Sequence, residues 1–258
     1  MQSACNALAR RGQGRKNDAM ELTVASYNIH KAVGLDRRRD PERILAVLHE
    51  LGADVVAVQE VDRRFGERAS VLPRALIEEH HWHAVALNQR PDSIGWHGNA
   101  LLVRRGIEVA EADIVPLPTL EPRGAVRADL VKDGHRVRVV GMHLDLSGLR
   151  RRQQVRAVIG HVAACDGAGG EGRVPTVLMG DFNEWSRAGG CLHEFHHDQW
   201  RVLAPGRSFP SRRPVAMLDR IVASAEWDCG HCAVHHSPLA ARASDHLPVI
   251  ARLSLPNN

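Results

Sequence analysis

Short runs of apolar residues alternate along the chain with polar and glycine-containing turns. The run Val177–Met179, between Pro175 and Gly180, has the length and the flanking residues of a buried strand. Helices are predicted at 41–51, 71–80 and 149–164. The same pattern predicts strands at 22–29, 54–59, 99–103, 107–115, 126–131, 136–143, 174–181, 217–223 and 233–237, with a last strand after His246.

The first predicted strand, helix and strand form a unit that is typical of a parallel sheet. Asp40 is expected to cap the helix, Pro41 to occupy its first turn and Gly52 to end it. Two strands joined in this way lie parallel, and their carboxyl ends meet on one side of the sheet. The later strands are joined by short turns such as Asp133–Gly134, a hairpin signal. This combination predicts mixed sheets in one domain, residues 21–258.

Polar residues stand where the predicted strands end. Asp181 and Asn183 follow one strand and are two positions apart, so their side chains point the same way. A carboxylate there can take a proton from water while the carboxamide holds the water or a substrate oxygen. The strand ends together supply Asn28, Glu60, His143, Asp181, Asn183, Asp219, Asp245 and His246.

These acids, amides and imidazoles suit the hydrolysis of a phosphate ester. Hard oxygen ligands hold Mg²⁺ or Mn²⁺, and Mg²⁺ usually takes one or two carboxylates from the protein. The ion then offsets charge on the phosphoryl oxygens. Taken singly, Glu60 can be a surface acid, Asp219 a turn former and His246 an exposed histidine. All of them falling at strand ends by accident is improbable, and the sequence therefore predicts a site.

Composition and charge narrow the classes of protein further. An apolar content of 44% and a charged content of 25% are those of a soluble globular protein. No apolar run approaches the roughly 20 residues of a membrane span. Residues 1–20 carry a net charge of +3 out of +4, which predicts a basic, disordered tail and an almost neutral body. That segment has no apolar signal region, so the expected location is cytoplasmic.

The cysteines do not predict a disulfide framework. Five cysteines in 258 residues are an odd number in a long chain. Cys229 and Cys232, followed by His235 and His236, are compatible with a structural zinc site, but no second ligand pair has the usual spacing. Reduced thiols are the favoured interpretation.

Seven motifs follow one another in a familiar order. They are Ser-Tyr-Asn-Ile-His (26–30), Val-Val-Ala-Val-Gln-Glu-Val (55–61), Gly-Asn-Ala-Leu-Leu (98–102), Gly-Met-His-Leu (141–144), Gly-Asp-Phe-Asn-Glu-Trp (180–185), Leu-Asp-Arg-Ile (218–221) and Ser-Asp-His-Leu-Pro (244–248). In order and spacing the chain resembles the endonuclease/exonuclease/phosphatase superfamily, the deoxyribonuclease I-like fold, from about residue 22 to 254. The resemblance implies an α/β (α+β) fold: a four-layer sandwich of two packed mixed β-sheets flanked by helices.

The resemblance also implies roles for the strand-end residues. Asn28, Glu60 and Asp245 resemble the family's metal-site residues. Asp181 resembles the residue that activates the attacking water, and Asn183 resembles its orienting partner. The implied cofactor is Mg²⁺ or Mn²⁺.

Four further residues resemble the family's phosphate-binding side of the site. His143 and His246 resemble the two histidines that contact the scissile phosphate and assist proton transfer. Asp219 resembles the carboxylate that fixes the tautomer of the second histidine and raises its pKa. Arg123 resembles an arginine that contacts the phosphate, for which a guanidinium fork is suited.

The sequence departs from the deoxyribonuclease branch in one place. Residues 95–99 contain no glutamate that could partner His143. Either Asn99 or a carboxylate elsewhere orients this histidine, or this subgroup of the family tunes it differently. Deoxyribonuclease specificity is therefore disfavoured.

The predicted function is a metal-dependent phosphodiesterase in which activated water attacks the phosphorus directly. Three alternatives stay open: a nuclease acting on DNA or RNA, a phospholipid or inositol-phosphate phosphoesterase, and a catalytically silent binding protein. The neutral body and only ten aromatic residues favour a small or lipid phosphodiester over nucleic acid. The protein is expected to be a monomer, with specificity in the loop-like segment 187–214.

Overall fold

Two mixed β-sheets form the centre of the structure, a computed structural model that describes residues 19–63, 69–87, 92–119, 123–169 and 172–256. The first sheet contains β1 (Met20–Asn28), β2 (Val55–Gln59), β3 (Trp82–Ala84), β4 (Asn99–Arg104), β11 (Asp228–Val234) and β12 (Val249–Leu255). The second contains β5 (Glu108–Val115), β6 (Gly124–Lys132), β7 (His135–His143), β8 (Thr176–Asp181), β9 (Trp200–Leu203) and β10 (Asp219–Ser224).

Each sheet combines one parallel pair with antiparallel neighbours. The strand order is β11-β12-β1-β2-β4-β3 in the first sheet and β5-β6-β7-β8-β10-β9 in the second. β1 and β2 are parallel, as are β7 and β8, and the other neighbouring strands pair antiparallel. The carboxyl ends of both parallel pairs carry the polar residues singled out in the sequence.

The helices lie outside the sheets. They are α1 (Pro41–Leu51), α2 (Arg74–Glu79), α3 (Gly148–Gly169) and α4 (Ala240–Ala243). α1 begins as the sequence predicts, because the side chain of Asp40 accepts a hydrogen bond from the backbone N–H of Arg43 at 3.0 Å. It ends at Gly52, whose φ of 57° is in the left-handed region that glycine adopts readily.

The core lies between the two sheets and continues under the helices. β1 contributes Val24 and β2 contributes Val55 to an inter-sheet cluster that also contains Val139, Met179 and Ile221 of the second sheet. Separate clusters join α1 to the outer face of the first sheet and α3 to that of the second. Each fully buried aliphatic side chain of this kind stabilises the fold by about 1.5–3 kcal/mol. The predicted four-layer arrangement is confirmed.

Three parts of the sequence-based assignment were wrong. Segment 187–214 is not only loop, because it contains a 3-10 helix at Gly190–Glu194 and the strand β9. The strand expected at 233–237 lies earlier, at Asp228–Val234, and β3 was not predicted. β3, β9 and β11 are sheet-edge strands. β3 and β9 have only three and four residues, which is too short for their pattern to be distinctive, and β11 carries no regular apolar alternation.

The termini and cysteines add two observations. The predicted tail 1–20 lies outside the described residues except for Ala19 and Met20, and Met20 is the first residue of β1. The four cysteines among the described residues are free thiols, and Cys229 and Cys232 lie on β11. None of the helices in the described part of the chain is long and apolar enough to cross a membrane.

Candidate active site

Asp181 occupies the centre of a polar cluster at one edge of the sheets. It is the last residue of β8, and it pairs in register with His143 of β7 on one side and Asp219 of β10 on the other. The residue before it, Gly180, allows the close approach of β7, since a Cβ there would lie 1.9 Å from the carbonyl oxygen of Met142. Asp181 is only 2% exposed, so its contacts are with protein groups.

Three side chains from different segments point at the Asp181 carboxylate. Asn28, at the end of β1 in the other sheet, donates from Nδ2 to Oδ2 at 3.1 Å. The Nε2 atoms of His143 and His246 lie 3.4 and 3.8 Å from the same oxygen. The backbone N–H of Asn183 donates to Oδ1 at 2.9 Å. One carboxylate therefore joins the two sheets and both histidines.

His246 forms a buried pair with Asp219. Its Nδ1 lies 2.9 Å from Asp219 Oδ2, which also accepts a hydrogen bond from Ser208 Oγ at 2.5 Å. Although burial disfavours the charged imidazolium, the charge and hydrogen bond of Asp219, together with Asp181, raise the pKa of His246 to about 10. His246 is thus a cation at neutral pH, with Nε2–H facing Asp181.

His143 has the opposite electrostatic environment. Burial lowers the pKa of His143 to about 4. The charge of Asp181 opposes this shift, and the neighbouring Arg123 guanidinium adds to it. Arg123 Nη1 donates to His143 Nε2 at 2.6 Å, which requires that nitrogen to be unprotonated. Asn99, the predicted alternative partner, instead donates from Nδ2 to the carbonyl oxygens of Trp96 and His97, both at 3.3 Å.

Asn183 sits in a constrained turn beside Asp181. Its φ of 50° is in the left-handed region, which asparagine tolerates better than most residues. Its Nδ2 donates to the carbonyl oxygen of Leu144 at 2.9 Å, and the residue is 8% exposed. This hydrogen bond ties the turn after β8 to the segment after β7.

Glu60 and Asp245 lie on the neighbouring strand ends of the first sheet. Lys31 Nζ forms an ion pair with Glu60 Oε2, and the Glu60 side chain is 25% exposed. Burial alone would raise the pKa of Glu60, but the hydrogen bond and charge of Lys31 hold it below the usual value. Asp245 Oδ1 lies 3.9 Å from His30 Nδ1, and its side chain is 35% exposed.

The two sheets contribute different chemistry. β12, β1 and β2 are adjacent, and the residues at their ends, Asp245, Asn28 and Glu60, all offer oxygen donors. The second sheet supplies the buried pair of Asp181 and His143. Oxygen donors of this kind fit Mg²⁺ or Mn²⁺, and in this structure the Lys31 ammonium pairs with the Glu60 carboxylate.

A second group could also hold a metal ion. Asp181, Asp219 and His246 offer ligand atoms that all lie within 4.8 Å of one another. However, both ring nitrogens of His246 face a carboxylate, and a protonated imidazolium cannot coordinate a metal. In this structure His246 is hydrogen-bonded to Asp219 and lies at ion-pair distance from Asp181, so its ring nitrogens are occupied by contacts within the group.

Sequence reasoning missed four residues of the site. Lys31 directly follows the first motif, but nothing in the sequence indicates that it pairs with Glu60. Ser208 and Phe209 lie in the loop to which specificity was assigned; Phe209 packs on His246 with ring centroids 4.7 Å apart. The backbone N–H of His30 donates to the side-chain Oδ1 of Asn28 at 3.1 Å, and its Nδ1 lies 3.9 Å from the carboxylate of Asp245.

The chain matches one family model and is similar to several known proteins. The model of the Endonuclease/Exonuclease/phosphatase family matches residues 25–246. YbhP of Escherichia coli (strain K12) is 26% identical over 266 residues, which cover 90% of this chain and 96% of YbhP.

Two solved structures show the same fold. An endonuclease/exonuclease/phosphatase of Beutenbergia cavernae has a TM-score of 0.68 and 23% identity, over 92% of this chain and 72% of its own. The mannosyl-6-phosphatase Bt3783 of Bacteroides thetaiotaomicron has a TM-score of 0.68 and 18% identity, over 90% of this chain and 99% of its own.

Proposed function

Because the chain belongs to the endonuclease/exonuclease/phosphatase family, whose members are hydrolases acting on phosphoesters, we propose that it is a metal-dependent phosphodiesterase. The observation that carries the proposal is the convergence of Asn28, His143 and His246 on the Asp181 carboxylate. Such a convergence gives one buried base an orienting amide and two imidazoles. Hydrolysis would proceed by direct attack of water.

Asp181 is proposed to take the proton from the attacking water. Its hydrogen bond from Asn183 N–H holds one carboxylate oxygen in place and leaves the other among Asn28 and the histidines. Asn183, in its fixed turn, is proposed to orient the water. General base catalysis of this kind contributes about 10²–10⁴-fold to a rate.

The two histidines are proposed to act in opposite protonation states. His246, charged because of Asp219, donates from Nε2 to the phosphoryl or leaving oxygen. His143 stays neutral, and Arg123 beside it supplies guanidinium donors for a non-bridging phosphate oxygen. When the environments of two titratable groups shift their pKa values apart, the difference identifies which group acts as acid and which as base.

Asn28, Glu60 and Asp245 are the residues proposed to hold Mg²⁺ or Mn²⁺. The ion would neutralise charge that develops on the phosphoryl oxygens. Lys31 would then have to release Glu60, because the ammonium and the ion need the same carboxylate oxygens. This chain's part is to keep those oxygens at one edge of the first sheet, facing the Asp181 cluster.

The proposal is tested with bis-p-nitrophenyl phosphate and the purified protein. We expect hydrolysis in Mg²⁺ or Mn²⁺, its loss in EDTA and its recovery on adding excess metal. Asp181→Asn should lower kcat about 10²–10⁴-fold without changing the melting temperature by more than a few degrees. Arg252→Gln, on the exposed face of β12, is the matched control and should keep full activity.

Two results would contradict the proposal. One is hydrolysis that EDTA leaves unchanged. The other is an Asp181→Asn variant that turns over at the wild-type rate. A panel of plasmid DNA, RNA, phospholipids and inositol phosphates, assayed with and without EDTA, then ranks the substrate classes.

A further inference from the structure

Large apolar side chains are exposed at one end of the molecule. Leu146 and Leu149 follow β7, Trp185 follows β8 and Val215 precedes β10; these four are 61–69% exposed. The fifth exposed large apolar residue among those described, Leu35, lies after β1 and is 40% exposed. Single exposed apolar residues are ordinary, but here all five lie at the sheet ends that hold Asp181.

Ring contacts link part of this apolar surface to the catalytic cluster. The rings of Trp185 and Phe209 are 6.5 Å apart between centroids, and Phe209 packs on His246 at 4.7 Å. Val215 is beside Phe209, since its N–H donates to the Phe209 carbonyl oxygen at 2.8 Å. A molecule lying on Trp185 and Val215 would therefore be two ring contacts from the histidine.

A buried arginine connects the other apolar residues to Trp185. This residue is Arg151 of α3, which is only 8% exposed. Its guanidinium donates to the carbonyl oxygen of Leu146 at 2.6 Å and to Glu184 Oε2 at 3.2 Å. Glu184 precedes Trp185, so the segments carrying Leu146 and Trp185 are held against each other.

The same rim carries unpaired positive charge. Arg187, Arg207, Arg212 and Arg213 are exposed, and no carboxylate of the described residues is within ion-pair distance of any of them. Residues 205–218 include three of these arginines and no acidic residue. An apolar patch surrounded by unpaired arginines complements a surface that offers negative charge outside and hydrocarbon beneath.

We propose that this rim surface, made of Leu146, Leu149, Trp185, Val215, Arg212 and Arg213, docks on an anionic phospholipid bilayer. The docked protein would take its phosphoester from a lipid headgroup at the membrane surface. The choice of substrate rests on the proposed phosphodiesterase function, whereas the docking does not. Leucine, valine and tryptophan side chains enter the boundary between headgroups and acyl chains, while the arginines pair with lipid phosphates.

A nucleic acid fits this surface less well. Non-specific binding of single strands requires several aromatic platforms on which successive bases stack, and Trp185 is the only exposed large aromatic residue among those described. Leu146, Leu149 and Val215 would gain nothing from a phosphate backbone. The described body of the protein is also almost neutral, which weakens phosphate binding along a long strand.

The test is sedimentation of the full chain with vesicles. We expect binding to vesicles of phosphatidylcholine with phosphatidylglycerol and much weaker binding to phosphatidylcholine alone. Replacing Leu146, Leu149 and Val215 together by serine should lower the partition coefficient at least about tenfold. Arg212→Gln and Arg213→Gln should each lower it about fivefold, and the distant Arg252→Gln should leave it unchanged.

Further measurements keep the outcome unambiguous. Circular dichroism and thermal melting establish that each variant is folded. We expect all of them to fold because the substituted side chains are exposed. Binding by the serine variant equal to that of wild type, or equal binding to both kinds of vesicle, would overturn the proposal. A single-stranded oligonucleotide that binds more tightly than the anionic vesicles, and loses binding with Arg212→Gln, would overturn it in favour of nucleic acid.

The docking and the proposed chemistry fail separately. Asp181→Asn should bind anionic vesicles like wild type because Asp181 is buried behind the rim. If the protein binds vesicles but hydrolyses no phosphoester, the proposed function is refuted and the proposed docking surface stands. If the protein hydrolyses bis-p-nitrophenyl phosphate but does not bind vesicles, the proposed docking surface is refuted and the proposed function stands.

Discussion

His143 and His246 face the same oxygen of Asp181, yet their surroundings push their pKa values in opposite directions. Asp219 stands behind His246 and favours its cation, whereas burial and Arg123 favour the neutral form of His143. At neutral pH the pair therefore contains one proton donor and one neutral ring. For His246 the shift depends mainly on one neighbour, Asp219, so a single substitution there should change it.

Asp219→Asn tests the protonation state of His246. A raised pKa keeps the imidazolium charged through neutral pH, so activity that needs this proton should fall only as pH rises towards about 10. Without the Asp219 charge the alkaline limb of the kcat profile should move down towards about 6.5, the ordinary value for histidine. An alkaline limb at the same pH in wild type and variant would contradict the assignment; Asp133→Asn, on the exposed turn after β6, is the control.

At the scale of elements, β7 and β8 place two of the reacting groups. They are parallel neighbours, and their register sets His143 beside Asp181. Two features hold them in place: the close approach at Gly180, and an ion network at the opposite ends of β6 and β7. Each feature predicts a measurable effect on stability.

Gly180→Ala should destabilise the protein by about 1–3 kcal/mol, because the added methyl would meet the carbonyl oxygen of Met142. Urea unfolding measures the difference. Gly160→Ala is the matched control: it lies inside α3, and its added Cβ has no neighbour within 4 Å. That substitution should stabilise by about 0.5–1 kcal/mol. Equal effects of the two substitutions would exclude the close approach as the reason for the glycine.

The ion network centred on Asp129 predicts a loss of stability at acid pH. Burial alone would raise the pKa of Asp129, but the hydrogen bonds and charges of Arg138 and Arg127 lower it. A lowered folded-state pKa stabilises the protein above the ordinary range of aspartate, about 4, and the contribution is lost as pH falls below it. The urea midpoint should therefore decrease on acidification.

Asp129→Asn should cost about 3–5 kcal/mol at neutral pH, since it removes the main charged partner of the buried Arg138 and one of three carboxylates that pair with the buried Arg127. It should also flatten the decrease of the urea midpoint at acid pH. Asp133→Asn, at a 72% exposed side chain, should change stability by less than about 0.5 kcal/mol. A variant as stable as wild type would mean that the network contributes nothing.

At the scale of the whole molecule, the candidate site exists only where the two sheets meet. The first sheet brings the oxygen donors and the second brings Asp181 and His143, with Asn28 and His246 reaching across from the first sheet to Asp181. Metal binding should therefore stabilise the packed arrangement as a whole.

Mg²⁺ or Mn²⁺ should raise the melting temperature. At a hundredfold excess over Kd the gain is about 2.7 kcal/mol, or roughly 5–10 °C for a chain of this size. Glu60→Gln should weaken metal binding in calorimetric titration, and the exposed Glu108→Gln should not. A Glu60→Gln variant with wild-type metal affinity would show that the ion is held elsewhere, for example by the group of Asp181, Asp219 and His246.

The sequence by itself determined the features that depend on near neighbours. The caps of α1 at Asp40 and Gly52 and the apolar runs of the central strands were all readable from it. The order of the seven motifs also indicated the family and its fold. These features are local because a cap or a buried strand is decided within a few residues.

Only the tertiary structure decided what depends on distant segments. The edge strands β3 and β9, of three and four residues, are too short to be recognised from their own sequence, and β11 carries no regular apolar alternation; pairing with a neighbour makes all three strands. Burial, aided by Arg123, lowers the pKa of His143, whereas Asp219 raises the pKa of His246, and both of these partners are distant in sequence from their histidines. Burial and charge act through space, and the spatial neighbours of a residue are set by the packing of the two sheets.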